Sequence, residues 1–111
     1  MKTNTVMELA IGKVKEGISR EAYLAAAVAV EADLRAMPGF RSRRLLAGED
    51  GLWVDLVLWD SMEDALQAAR AFEHIPSALP MIGMLNGETI RMYHLEPVYE
   101  DHLNADTYIS S

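Results

Sequence analysis

The stretch Leu56-Val57-Leu58-Trp59-Asp60-Ser61 lies at the centre of a repeated pattern, because an apolar strand ends here on a serine that can cap a helix. An earlier stretch, Met37-Pro38-Gly39-Phe40, ends an alanine-rich helix and opens another strand. Each half of the chain therefore contains a strand, a capped helix, a breaker and a second strand. The order β-α-β-β-α-β within about one hundred residues predicts an α+β domain with a four-stranded sheet.

Turn and cap signals set the limits of the predicted elements. In the first half Ser19 caps a helix, and Glu49-Asp50-Gly51 has the composition of a hairpin turn. In the second half Ser61 and Asp64 match a capping box, and Pro76 interrupts the helix that follows. The predicted strands cover residues 6–15, 40–47, 52–59 and 89–95, and the predicted helices cover residues 20–37 and 62–73, with an irregular helical segment at residues 77–85.

The connections between these strands predict how the sheet is arranged. Right-handed crossovers give the antiparallel sheet order 4-1-3-2, with both helices on one face. Apolar side chains occupy both sides of residues 52–59, so neither side is patterned for water. Because the helices cover only one face, we expect a homodimer whose sheets pack face to face. Residues 1–97 are predicted to form the domain, and residues 98–111 a C-terminal tail that packs on the partner.

Composition limits the partners. A formal net charge of −7 on 111 residues argues against nucleic acid and anionic membrane surfaces. The chain has no cysteine, which excludes disulfides and thiolate metal sites and fits a cytoplasmic location. The longest apolar run, residues 22–30, is too short to span a bilayer. No phosphate loop, metalloprotease motif or flavin or nicotinamide motif is found, so no cofactor and no metal are predicted.

Two motifs resemble a known family. A helix followed by Met37-Pro38-Gly39-Phe40, and a strand followed by Trp59-Asp60-Ser61-x-Glu63, are similar to the antibiotic biosynthesis monooxygenase family. The resemblance covers residues 6–97. It implies a ferredoxin-like unit, a dimeric α/β barrel and a cofactor-independent monooxygenase acting on a hydrophobic aromatic or polyketide-type small molecule. The resemblance leaves one alternative open, a non-catalytic small-molecule-binding or accessory dimer of the same fold.

The haem-degrading branch of the same superfamily is not matched. The resemblance to that branch would require an asparagine on the first strand, a tryptophan within the second helix and a histidine just after it. This chain carries Glu8, Ala68 and Ala78 at or near those positions. We therefore expect no haem turnover.

Three residues are candidates for the catalytic base. His94 carries an imidazole, the side-chain type suited to acid–base work near neutral pH, although a lone strand histidine is also a common structural residue. Asp55 would act as a general base if buried, or be a solvated charge if exposed. Glu8 shares a strand side with Ala10 and Gly12, whose small size leaves room for a cavity or for close helix packing. Only one face of a strand can line a given pocket. We therefore expect Asp55 and the tryptophans to lie together on one face of the sheet and the other candidates to lie elsewhere.

Six residues are candidates for substrate binding. Trp59 and Trp53 would form flat aromatic walls, or serve as core anchors. Tyr23 lies on the sheet-facing stripe of the first helix. His74 lies at the pocket rim or favours the dipole at the end of the second helix. The last two, Met81 and Met84, give the segment after the prolines an adaptable apolar surface that suits either a lid or the core.

Arg41, Arg43 and Arg44 form the basic cluster of the sequence. Charged side chains of this kind protect an edge strand from pairing with another chain. We interpret the cluster in this way, with attraction of an anionic substrate as the alternative.

Overall fold

The computed structural model describes residues 4–101. In chain order its elements are β1 (Val6–Lys13), α1 (Arg20–Val28), α2 (Glu31–Arg35), β2 (Phe40–Ala47), β3 (Leu52–Trp59), α3 (Met62–Phe72), a 3-10 turn (Pro76–Ala78), α4 (Leu79–Gly83), a second 3-10 turn (Gly87–Thr89) and β4 (Arg91–Leu95). The strands form one antiparallel sheet in the order β2-β3-β1-β4. The predicted ferredoxin-like α+β fold is confirmed, since this is the order 4-1-3-2 read from the other edge.

Two short turns fix the connections at either end of β2. Gly39 has φ 83°, and a Cβ there would collide with the side chain of Asp64, so only glycine fits. The Asp64 N–H donates to Ser61 Oγ at 3.1 Å, which caps α3 as predicted. Asp50 and Gly51 have φ 58° and 78°, which is typical of a tight hairpin turn between β2 and β3.

The core lies between the helices and one face of the sheet, which we call the inner face. Phe40 packs edge-on against Trp59, with ring centroids 5.8 Å apart. The buried apolar residues are Val6, Tyr23, Ala27, Val30, Leu34, Trp53, Val57, Trp59, Ala65, Ala68, Ala78 and Met81. Any polar group on the inner face therefore lies in mostly apolar surroundings.

The helix predicted at residues 20–37 is interrupted. α1 ends at Val28, and the Val30 N–H bonds the Ala27 carbonyl three residues back, at 3.3 Å. The same carbonyl accepts a hydrogen bond from Arg43 Nη1 at 2.7 Å. A contact from β2 therefore competes with the regular helical ladder, which the helix propensity of an alanine-rich segment does not reveal.

Two strand ends differ from the prediction. β1 ends at Lys13 rather than at residue 15, and the Lys15 N–H donates instead to the Met84 carbonyl at 2.8 Å. β4 begins at Arg91 rather than at residue 89, and the Thr89 hydroxyl accepts from the Lys13 N–H at 2.9 Å. The segment before β4 thus packs against the end of β1.

The second face of the sheet, which we call the outer face, is open in a single chain. Register places Leu46 opposite Val54, and Tyr93 opposite Leu9 on this face. Leu46 and Tyr93 are 42% and 50% exposed. The expected apolar outer face is therefore present.

The chain beyond β4 leaves the sheet. Val98 and Tyr99 are 94% and 80% exposed. The domain boundary after residue 97 and the packing of the tail on a partner stay predictions, because residues 102–111 lie outside the described part of the chain. None of the helices between residues 4 and 101 is long and apolar enough to cross a membrane.

Candidate functional site

Strand register brings the candidate residues of the sheet to the inner face. Along β1 and β3, Glu8 lies opposite Val57 and Ala10 opposite Asp55, with Trp59 and Trp53 on the same side of β3. His94 on β4 lies opposite Glu8 from the other edge. The expectation that Asp55 and the tryptophans form a separate set is wrong, since β1 pairs with both β3 and β4.

Glu8 and His94 form a buried acid–base pair. His94 Nε2 lies 3.0 Å from Glu8 Oε2, and the side chains are 18% and 12% exposed respectively. Burial raises the pKa of Glu8 above its usual 4.5, while the charge and hydrogen bond of His94 oppose the rise. A carboxyl group in this setting holds a proton more readily than one in water, so the pair can accept and return a proton.

The indole N–H of Trp59 is a buried donor beside this pair. Trp59 is fully buried, and its Nε1 has no hydrogen-bond partner within residues 4–101. The indole N–H nevertheless lowers the pKa of Glu8, so it interacts with the Glu8 carboxyl group although the two do not meet strict hydrogen-bond geometry. An unsatisfied buried donor is costly, and an acceptor atom of a ligand would relieve that cost.

A second charged pair, Arg43–Asp55, crosses the inner face between β2 and β3. Arg43 Nε and Nη2 donate to the two Asp55 carboxylate oxygens at 3.0 and 2.8 Å. Burial alone lowers the pKa of Arg43, but Asp55 and Glu31 raise it overall. The Arg43 side chain is only 3% exposed. Asp55 is therefore neither a solvated charge nor a free base, since both of its oxygens are engaged.

Tyr23 and Trp53 lie beside the second pair. Their ring centroids are 4.7 Å apart with the planes tilted by 50°. Burial, and then the charge of Asp55, raises the pKa of Tyr23 to about 12. Tyr23 is therefore a neutral hydroxyl at any physiological pH.

Two small cavities remain between the sheet and the helices. The first, which we call the Glu8 cavity, has a volume of about 60 Å³ and is lined by Glu8, Trp59, Asp55, Ala10 and Met81, together with apolar residues of α2, α3 and the strands. The second, which we call the Tyr23 cavity, has a volume of about 50 Å³ and is lined by Tyr23, Trp53, Asp55, Ala10 and Met81, among others. Both are mainly apolar and hold a few polar groups, as small-molecule sites do.

Two sequence candidates lie away from these cavities. His74 is exposed just after α3, and Met84 is only partly buried, and neither lines the Glu8 cavity or the Tyr23 cavity. Their predicted role in substrate binding therefore has no support from these cavities. Met81, by contrast, is buried and lines both.

Sequence reasoning missed the inward position of Arg43. A register shift between Phe40 and Ser42 brings Phe40 and Arg43 to the same face, although simple alternation puts them on opposite faces. The interpretation of Arg43 as edge protection is therefore wrong, whereas Arg41 and Arg44 are exposed. Alternation counted back from the β2–β3 hairpin places Leu45 and Arg43 on the same, inner face. Counting from Phe40 instead gives the wrong face for Arg43.

No group of three or more histidine, cysteine, aspartate or glutamate side chains suited to a metal ion occurs within residues 4–101. The polar groups of the inner face are two separate pairs, and one partner in the second pair is an arginine. The chemistry that this arrangement supports directly is proton transfer at Glu8.

Comparisons with known proteins agree on the fold. A search against protein-family models and a search of curated proteins found no match. Among solved structures, SnoaB, a cofactor-independent oxygenase from Streptomyces nogalater, is 18% identical with a TM-score of 0.61, covering 90% of this chain and 97% of SnoaB. A proposed antibiotic biosynthesis monooxygenase from Bordetella bronchiseptica is 17% identical with a TM-score of 0.68, covering 86% and 99%.

The chain has the fold of antibiotic biosynthesis monooxygenase-like proteins. Rv0793 of Mycobacterium tuberculosis adds a third neighbour, with 24% identity, a TM-score of 0.63 and coverage of 88% of this chain and 99% of Rv0793. The fold expected from the sequence resemblance is thus confirmed. Identities of this size carry the fold and not the chemistry, which has to be argued from the site itself.

Proposed function

We propose that this protein is a cofactor-independent monooxygenase-like enzyme that acts on a hydrophobic aromatic or polyketide-type small molecule. The observation that carries the proposal is the Glu8–His94 pair, at 3.0 Å, beside an apolar cavity that is also lined by Trp59, whose indole N–H has no partner of good hydrogen-bond geometry within residues 4–101. The name of SnoaB, a cofactor-independent oxygenase of the same fold, supports the reaction class.

Glu8 is the proposed general base, because it lines the cavity. His94 contacts Glu8 from β4 and acts as a positioning residue for its carboxyl group. When the pair carries one negative charge, uptake of a proton from the substrate leaves a neutral pair. Neutralisation is favourable where burial already disfavours the carboxylate.

Trp59 is the proposed partner of the substrate oxygen. As an anthrone-type substrate loses a proton, negative charge develops on its carbonyl oxygen. A donor fixed in an apolar pocket stabilises that charge more than water would, because it needs no reorientation. The unmet hydrogen-bonding capacity of Trp59 Nε1 suits this role.

The proposed overall reaction balances without a cofactor. The deprotonated substrate gives one electron to dioxygen, and the two radicals combine to form a carbon–oxygen bond. The resulting peroxide loses water as its O–O bond breaks, so that a CH₂ group becomes C=O and one oxygen atom leaves in water. The second hydrogen of the CH₂ group and the proton held by the Glu8–His94 pair supply the two hydrogens of that water.

The proposed assembly is a homodimer that buries the outer faces of two sheets. Apolar side chains such as Leu56 and Val54 occupy that face, and exposed patches of this kind mark interaction sites. The net charge of −7 supports neither nucleic acid nor an anionic membrane as a partner, and the absence of cysteine is in keeping with a proposed cytoplasmic location. Light scattering should give a dimer at micromolar concentration, and Leu56→Glu should give a monomer. A monomeric wild type would contradict this assembly.

A non-catalytic binding or accessory dimer is the second candidate. The observation in its favour is that the Glu8 cavity, at about 60 Å³, is far smaller than the roughly 300 Å³ or more of typical ligand pockets. A protein of this kind would bind a hydrophobic molecule without consuming oxygen.

Oxygen uptake with an anthrone-type substrate tests the proposed enzyme. Wild type should exceed the spontaneous oxidation of the substrate, and Glu8→Gln should lower the rate about 10²- to 10⁴-fold, as expected for loss of a general base. Glu16→Gln, which removes an exposed carboxylate in a turn, is the matched control and should retain the rate.

The role of His94 has its own signature. His94 holds down the pKa of Glu8, so His94→Gln should move the rising limb of the pH–rate profile to higher pH and not only lower the rate. Uptake that never exceeds spontaneous oxidation over a varied panel of phenols and anthrones would favour the binding dimer instead.

A further inference from the structure

The Glu8 cavity comes closest to solvent at one edge of the sheet. The described residues that line it are buried or half-buried, with the exception of Met92, which is 47% exposed. Met92 belongs to β4, an edge strand whose one neighbour in the described sheet is β1. The wall of the cavity that faces solvent is therefore the side chain of Met92.

Strand register places Met92 beside the Glu8–His94 pair. Met92 lies opposite Ala10, and two positions away along the same pair of strands His94 lies opposite Glu8. Alternate residues of a strand share a face, so Met92 and His94 both point to the inner face. Because Ala10 is small and lines the cavity between them, a molecule that passes Met92 next reaches the carboxyl group of Glu8.

The helix side of this edge is formed by residues that move less easily. Ala68, Ala69 and Phe72 of α3 line the cavity, and α3 packs over β1 and β3. An alanine side chain cannot rotate out of the way, and Phe72 packs against the core. Methionine is unbranched and has three rotatable side-chain bonds, and Met92 is half exposed. Met92 is therefore the lining residue that can move most freely.

Trp59 shows that the entrance is closed in this structure. It is fully buried, although it lines the same cavity as the exposed Met92. A molecule from solvent can therefore reach the indole only after a side chain between them has moved. Exposed side chains change rotamer within picoseconds to nanoseconds, so rotation of Met92 would open the cavity without any change in the backbone.

The size and charge of the cavity restrict what can enter. Its volume of about 60 Å³ holds one or two groups of the size of a water molecule, which occupies about 30 Å³ in the liquid. Only a small end group of a ligand fits inside, so the bulk of the ligand stays outside. The carboxyl groups of Glu8 and Asp55 both line the cavity, so a neutral group enters at a lower cost than an anion.

We propose that Met92 is the entrance residue of the Glu8 cavity and that it admits the neutral end group of a small molecule from the β4 edge. The rest of that molecule lies outside the cavity, against the thioether of Met92, which makes favourable contacts with aromatic rings. The route of entry rests on the geometry of the cavity, whereas the reaction at Glu8 rests on the proposed function.

Fluorescence quenching of Trp59 measures passage through this entrance. Trp53→Phe leaves Trp59 as the single tryptophan, because the chain has two. Acrylamide is the neutral probe and iodide the anionic one. Met92→Ala should raise the acrylamide quenching constant of Trp59 about tenfold, because a minor open state, populated to about 10% or less, would become the main state. Iodide should quench Trp59 far less than acrylamide does, with or without the substitution.

Two further variants separate the side chain of Met92 from the strand that carries it. Met92→Ile keeps an apolar side chain but restricts its rotation, so it should lower the quenching constant. Tyr93→Ala is the matched control, because Tyr93 is the next residue of β4, is 50% exposed and points to the outer face. It should leave the quenching constant unchanged, whereas fraying of β4 would raise it. The same substitutions in the two-tryptophan chain keep the comparison valid if Trp53→Phe fails to fold.

Three results would overturn the inference. The first is equal acrylamide quenching of Trp59 in the parent protein, Met92→Ala and Met92→Ile. The second is an increase in Tyr93→Ala as large as that in Met92→Ala. The third, quenching by iodide as strong as by acrylamide, would overturn the selection of neutral groups. Quenching that depends on residue 92 without oxygen uptake would retain the entrance and remove only the proposed enzyme, and oxygen uptake without that dependence would do the reverse.

Discussion

Two acid–base pairs lie on the same face of one sheet, and they differ in how many bonds hold them. Arg43 donates to both oxygens of Asp55 and also to the Ala27 carbonyl. Glu8 lies 3.0 Å from His94 through one of its oxygens and borders a cavity. A carboxylate whose two oxygens are both held by one arginine is suited to hold the structure together, whereas a carboxyl group that borders a cavity is placed to exchange a proton with a ligand.

The largest expected effect is on stability, at the Arg43–Asp55 pair. Arg43→Met leaves Asp55 without its partner, and breaking a pair of this kind costs about 3–5 kcal/mol of unfolding free energy. The double variant Arg43→Met/Asp55→Leu should recover most of that loss, because no charge is left unpaired. Urea unfolding measures both. Arg44→Met, which removes the exposed neighbouring arginine, is the control and should change stability little.

Burial first, and then the charge of Asp55, raises the pKa of Tyr23 and makes stability depend on alkaline pH. Its pKa is about 12 in the folded protein against 10 in the unfolded chain, so the folded state keeps a proton that the unfolded state has lost. Stability should therefore fall as pH rises from 10 to 12, by about 2 kcal/mol or slightly more in total. Tyr23→Phe should abolish this loss of stability. In an absorbance titration at alkaline pH, the same variant should lack the tyrosine that ionises last. A tyrosine titration in which all four residues ionise together would contradict the assignment.

At the Glu8–His94 pair, titration of Glu8 should give stability a smaller pH dependence. The pKa of Glu8 is raised in the folded state, so above 4.5 the unfolded chain releases a proton that the folded protein retains. Stability should then decrease as pH rises through the interval just above 4.5, with a slope of at most about 1.4 kcal/mol per pH unit. Glu8→Gln should flatten the curve in that interval. The comparison of the two pairs loses its basis if Glu8→Gln instead destabilises the fold as strongly as Arg43→Met does.

The smallest expected effect is at Ser77, which ties the segment over the cavities to α2. Loss of its hydrogen bond to Asp33 in Ser77→Ala should cost about 0.5–1.5 kcal/mol. Amide exchange should speed up within the segment Pro76–Ala78 and α4 (Leu79–Gly83), and not in the β2–β3 hairpin. Asp33→Asn, which keeps an acceptor for the serine hydroxyl, should have the weaker effect. Equal acceleration in both regions would mean that Ser77 acts on global stability alone.

The fold was predictable because its signals are local. Pro38 and Gly39, the Asp50-Gly51 turn and the Ser61 cap each act within a few residues, and all of them lie where the sequence indicates. The helix break after Val28 and the inward position of Arg43 were not predictable in this way. Both depend on a β-bulge, whose extra residue reverses the alternation along β2.

Several residues of the candidate site were named from the sequence, but Arg43 was missed, His74 and Met84 lie away from the cavities, and the pairing of the residues was not predictable. Alternation along β1 and β3 assigns Glu8, Asp55 and Trp59 to definite sides of their strands, but it does not say which sides face the same layer. Only the register of β1 against both β3 and β4 joins Glu8 to His94. The role of Asp55 changed because its partner, Arg43, reaches it across the bulged strand.

The sequence separation of the two pairs has a consequence for folding. Arg43 and Asp55 are 12 residues apart within one hairpin, whereas Glu8 and His94 are 86 residues apart. Contacts of low sequence separation lose little loop entropy and form early, and distant strand pairings form late. During synthesis the hairpin can close as soon as it emerges, but β1 keeps an unpaired edge until β4 arrives. We therefore expect the Glu8–His94 pair to form late in folding, and with it the proton transfer that we propose for Glu8.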